Sequence, residues 1–91
     1  MPRYYFHTLN GLRHRDVDGE ILAGPVAACE EARALFAEVL GRGDSGFTAA
    51  NDFTVLCTDE AGRPVVAYTA STAPVALLGS LVERLDRPEG G

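Results

Sequence analysis

The stretch MPRYYFHTLNG, residues 1–11, decides how the chain folds. Tyr4, Tyr5, Phe6 and Thr8 are residue types that fit a pleated, half-buried surface, so the run predicts a strand over residues 3–9. Side chains alternate along a strand, which sends Tyr4 and Phe6 into the core, against Ala32, Phe36 and Val39 of the helix that follows, and Tyr5 and His7 to the other face. Asn10-Gly11 tolerates positive φ at both positions and predicts a tight hairpin immediately after the strand. The returning residues 12–15 are too polar for a core strand. Asp16-Val17-Asp18-Gly19 then makes a second turn before Glu20-Ile21-Leu22 extends again. An edge strand, interrupted or bulged, is the expectation there.

Working outward, Gly24-Pro25 reads as a helix start, with glycine tolerated at the cap and proline preset for the first turn. The helix is expected to run to about residue 40. Ala28, Ala32, Leu35, Phe36, Val39 and Leu40 recur at three- and four-residue steps, with Cys29 at the border of that face, and Gly41 and Gly43 close the element. Residues 42–52 read as a loop. Phe53, Val55 and Cys57 alternate onto one side of a strand over 53–58, and Asp59-Glu60-Ala61-Gly62 turns it into a second strand over 63–69. There Val66 and Tyr68 take one face, Val65 and Ala67 the other. Pro74 opens a last helix, 74–85, followed by a charged tail, 86–91, expected to fray. The sum is an α+β fold. It is a single small two-layer domain, 1–91, with an antiparallel sheet of three to four strands in ββαββα order packed on one long helix, plus a C-terminal helix.

Charge narrows the function classes. The net charge is −5 and all eight cations are arginines, so generic nucleic-acid binding through a broad basic surface is not expected. The charge is uneven. Residues 1–15 hold Arg3, Arg13 and Arg15 and no acid, whereas 16–62 hold ten acids against Arg33 and Arg42. No apolar run approaches the roughly twenty residues of a membrane span, and no apolar segment of signal-peptide length follows Arg3, so the expected location is cytoplasmic. Cys29 and Cys57 sit far apart in apolar patterns and read as free, buried thiols rather than a disulfide framework.

No residue pattern predicts catalysis. His7, His14, Cys29 and Cys57 lack the short pair spacing from which zinc sites are built, and His7 reads as a hydrogen-bonded histidine on a sheet face. Asp16 to Glu20 has its glycine at the wrong place for a calcium loop. Asp59 and Glu60 are adjacent on a hairpin tip and diverge into water. Cys29 has no neighbouring base, and Ser45-Gly46 does not follow a strand as a phosphate loop does. The expected catalytic, cofactor-binding and metal-binding residues are therefore none. What stands out is an apolar helical stripe, Val75, Leu78, Leu81, Val82 and Leu85, too greasy for water. Together with Tyr5 and His7 it forms the candidate interaction surface.

The opening Met1 to His7, Asn10-Gly11, Asp16-x-Asp18-Gly19, Glu31-Ala32-Arg33 and Thr58-Asp59-Glu60-x-Gly62-Arg63-x-Val65 resemble a family of short bacterial proteins known only as a domain of unknown function. The resemblance covers about residues 1–70. It implies a compact α+β domain and brings no catalytic residues with it, and the helix after Pro74 lies beyond it. The expected function is a non-enzymatic interaction or assembly module that self-associates as a homodimer, without cofactor, nucleic acid or membrane. The alternative is an antitoxin-like regulatory partner of another protein, since a strand, an acidic turn, an extended return and a Glu-Glu-Ala helix over residues 3–40 share that layout.

Overall fold

The computed structural model describes residues 1–88. Its elements are β1 (Arg3–Leu9), β2 (Arg13–His14), β3 (Glu20–Ile21), α1 (Pro25–Arg42), β4 (Phe53–Thr58), β5 (Pro64–Ala70) and α2 (Val75–Leu85). All strand pairings are antiparallel, in the order β2-β1-β4-β5, and β3 also pairs with β1. The result is the expected α+β architecture, with α1 on one face of the sheet and α2 at the C-terminal end. The expected frayed tail falls partly outside the described residues.

β2 and β3 are two fragments of one edge strand. Thr8 and Leu9 pair with His14 and Arg13, and Arg3 and Tyr4 pair with Ile21 and Glu20. Between them the edge is broken, as the polar segment and its Asp-rich turn predict. The Asp16 carboxylate fills the break: Phe6 donates its backbone N–H to Asp16 Oδ2 at 3.1 Å, while Asp18 and Gly19 donate theirs to Oδ1, each at 3.1 Å. A side chain thus completes a ladder that a continuous strand would otherwise satisfy. Gly19 has φ +68°, and a Cβ there would lie 2.7 Å from the Tyr4 carbonyl oxygen, so the chain needs glycine to pass this close to β1.

The Asn10-Gly11 turn differs from a two-residue hairpin. Leu9 pairs with Arg13, so the loop holds three residues, and only Gly11 takes positive φ. Asn10 is employed through its side chain instead: Nδ2 donates to the Ser45 carbonyl at 2.8 Å and Oδ1 accepts from Leu12 N–H at 3.3 Å. The amide ties the 44–52 loop to the first hairpin.

Helix α1 ends at Gly43 rather than Gly41; Gly43 is left-handed and donates to the Leu40 carbonyl at 3.2 Å. Its apolar face is the expected one, with Ala28 and Ala32 fully buried. It lies over β4 and β5, so Phe36 stacks on Phe53 at 5.6 Å between ring centroids and tilts against Tyr68 at 6.0 Å, rather than against the aromatics of β1. β4 has long neighbours on both sides, and a helix centred there covers the most apolar surface. Tyr4, Phe53, Val55 and Cys57 complete the buried core, with Phe6 half-buried against it. The register shifts between Cys57 and Thr58, where Cys57 pairs with Val66 and Thr58 with Pro64. Val65 is the extra residue of this bulge and packs against the core beside Val66, not on the opposite face as strict alternation predicts.

Candidate functional site

The sheet face away from α1 carries the expected pair Tyr5 and His7, whose rings are parallel within 5° and 6.4 Å apart. His7 is held from both sides. Asp16 donates its backbone N–H to Nδ1 at 3.0 Å, which places the ring proton on Nε2, and Nε2 lies 2.9 Å from Thr58 Oγ1 and donates to it. His7 therefore gives Thr58 a proton to share rather than a lone pair to accept one. Such an arrangement fixes a ring and does not activate a hydroxyl.

The electrostatics favour the neutral ring that such a tautomer requires. Burial lowers the His7 pKa, the Arg15 charge lowers it further, and Asp16 only partly offsets them. For Asp16, burial pulls the pKa upward. The backbone N–H groups of Phe6, Gly19 and Asp18 together outweigh it, aided by His7, and the net direction is down. Both shifts act in the same sense on stability. The unfolded chain binds a proton on His7 before the folded one does, so stability is full above the ordinary value of 6.5 and falls as the pH drops below it. The Asp16 contribution is present above 3.8 and is lost as the pH falls through its lower folded value. Melting temperatures measured from pH 7.5 to 5 are expected to decline in the natural chain. In His7→Gln the decline over this window should be much reduced, whereas an identical slope would show that His7 is not the titrating group.

Beside this cluster opens a cleft of about 570 Å³, lined by His7, Thr8, Leu9, Arg13, His14, Arg15, Leu56, Thr58 and Gly62. The Asp59-Glu60 tip is a turn device, as expected: Asp59 Oδ1 accepts from Ala61 and Arg63 N–H, both at 2.9 Å, and Oδ2 meets Arg63 Nε at 3.0 Å. Cys57 is fully buried, and burial first, then the nearby Cys29 and Asp59, push its thiol up to about 11. Cys29 is only half-buried, on the rim of α1, rather than inside the core. Among the described residues no three His, Cys, Asp or Glu side chains gather where one metal ion would reach them, and no helix is long and apolar enough to cross a membrane.

The stripe residues Val75, Leu78, Leu81, Val82 and Leu85 lie on α2, every residue of which is exposed. Leu77 joins them at the edge of the stripe, half uncovered at 52% and four residues before Leu81. No α2 residue belongs to the core, and α2 makes at most marginal contact with the other elements. Local pattern marks Asp16 as a turn residue and Thr58 as a strand residue. Their joint hold on His7 depends on β1 lying between the Asp16 turn and β4, which no local signal announces.

The model of the family described as Domain of unknown function (DUF6894) matches residues 3–71. The chain belongs to this family. No curated protein and no solved structure matches it. The matched span takes in β1 through β5 and stops short of Pro74, so the cleft and the His7 cluster lie within the family domain and α2 lies outside it.

Proposed function

We propose that the chain is a non-enzymatic interaction module that self-associates as a homodimer through α2. The observation that carries this reading is the uncovered apolar face of that helix, no residue of which is buried: Val75 is 84% exposed, Leu85 82% and Val82 57%, with Leu77, Leu78 and Leu81 also exposed. An eleven-residue helix with Gly79 in its middle is too short to persist in water by itself, since isolated helices below roughly 12–15 residues are marginal and a mid-helix glycine costs about 1 kcal/mol more. It needs something to pack on. The other large exposed apolar side chains, among them Leu12, Val17, Ile21, Val26 and Phe47, are scattered over separate turns and elements. α2 is where exposed apolar side chains follow one another along a single element, and a self-complementary strip of this kind makes a twofold interface.

Each leucine fully buried in such an interface contributes about 1.5–3 kcal/mol before the costs of association. Light scattering at micromolar concentration is expected to give twice the chain mass for the natural protein. The Leu78→Glu, Leu81→Glu double variant should be a folded monomer, because neither residue supports the core. A monomeric natural chain would overturn self-association and leave the α2 stripe to the monomer's own surface or to a foreign partner, which is the outcome the antitoxin-like alternative, drawn from the layout of residues 3–40, requires.

A further inference from the structure

We propose that the cleft beside His7 is a binding site for a phosphate group carried on a small, partly apolar molecule. Three features converge there. First, β2 and its exit bring Arg13, His14 and Arg15 to one cleft, and no acidic residue lines it, although the chain carries a net charge of −5. Second, none of these three side chains makes a hydrogen bond or ion pair among the described residues; Arg33, Arg84 and Arg87 are likewise unpaired but do not line this cleft, so it is here that unpaired guanidiniums converge. Guanidinium groups left free in a concave site suit oxyanions, which they grip with paired N–H donors.

The third feature is the polarity of the His7 relay. Because Asp16 N–H occupies Nδ1, His7 donates through Nε2 to Thr58 Oγ1, and the Thr58 hydroxyl retains its own proton with no acceptor among the described residues. Thr58 lines the cleft, so its hydroxyl is a further donor available to a ligand. Two guanidiniums and a hydroxyl together offer more donors than a carboxylate takes up well, and a phosphate monoester has three terminal oxygens to receive them. Leu9 and Leu56 on the same wall supply apolar contact for the body that carries the phosphate. The Asp16 turn thus has a second consequence: by fixing the His7 tautomer it leaves the Thr58 hydroxyl as a donor toward the cleft.

The site involves no residue of α2, so this inference stands apart from self-association. The test is amide NMR titration with phenyl phosphate, inorganic phosphate, benzoate and a single-stranded oligouridylate. Phenyl phosphate is expected to shift residues 7, 13–15, 56 and 58 and to bind more tightly than inorganic phosphate or benzoate. Arg13→Gln with Arg15→Gln, both exposed positions, should weaken it at least tenfold, and Thr58→Val should weaken it several-fold with the spectrum still that of a folded chain. The Leu78→Glu, Leu81→Glu variant should bind as the natural chain does. No shift with millimolar phenyl phosphate, unchanged binding in the double arginine variant, or equal affinity for benzoate would overturn the proposal. An affinity for oligouridylate that rises steeply with its length would replace a small-molecule site with a nucleic-acid one.

Discussion

Replacing Phe53 with alanine is expected to cost about 3–5 kcal/mol, most of what a domain of this size holds in reserve. Phe53 is 1% exposed and is among the largest side chains buried completely. It opens β4, pairs with Ala70 of β5 and stacks on Phe36 of α1, so truncating it empties the junction between the helix and two strands. The hole would be walled by secondary structure and has little freedom to collapse. Urea denaturation should show the loss as a lower midpoint with an unchanged slope, or as a chain already unfolded in buffer. Val17→Ala, at a side chain 77% exposed on the Asp-rich turn, should stay within about 0.5 kcal/mol of the natural protein. A Phe53→Ala loss under about 1 kcal/mol would show that this junction is not the centre of the core.

The second large effect is expected at a polar residue. Asp16→Ala removes the acceptor of three backbone N–H groups at once, those of Phe6, Asp18 and Gly19. Asp18 is exposed and water replaces its lost bond cheaply, but Phe6 N–H is part-buried in the gap of the edge strand. With hydrogen bonds to a charged group worth about 1.5–3 kcal/mol where water is excluded, a loss of about 2–4 kcal/mol is expected. Asp16→Asn separates the contributions. Its single oxygen can keep the turn bonds to Asp18 and Gly19, yet its NH2 then faces the Phe6 N–H, donor against donor, so it should fall between the natural chain and the alanine variant. His7 should also lose its fixed tautomer in Asp16→Ala, because the turn that presents the Asp16 N–H to Nδ1 is no longer held. A nitrogen-15 spectrum of the ring reads that directly. Asn and Ala variants of equal stability would contradict the role given to the Phe6 bond.

What was legible in the sequence was whatever local pattern controls. Alternation put Phe53, Val55 and Cys57 into the core, and all three are buried. The polar return after Asn10-Gly11 signalled an interrupted edge, and the edge is interrupted where the aspartates stand. The stripe after Pro74 was too apolar for the space a single helix and a small sheet leave, and α2 indeed finds no place in the core. What was hidden depends on distant partners. Asn10 was read as a turn former because Asn-Gly is one, but its amide is claimed by a carbonyl 35 residues away. Alternation places Val65 on the wrong face because a bulge at Thr58 shifts the register by one residue, and nothing in the run from Val65 to Tyr68 marks it. The pairing of α1 with β4 and β5 rather than β1 followed from which strand is central, a property of topology. No local signal marks the basic cleft, because Arg13 and Arg15 line it beside His7 and Thr58 only once β1 is paired on both sides.

The central claim is that α2 exists as a helix because a second copy covers it. Amide hydrogen exchange followed by mass spectrometry over residues 75–85, at concentrations from the nanomolar to the high micromolar range, tests this most directly. An interface between copies predicts protection of these amides at high concentration and its loss on dilution, while the amides of β4 remain protected throughout. Amides over 75–85 that exchange at unprotected rates at every concentration would contradict the claim.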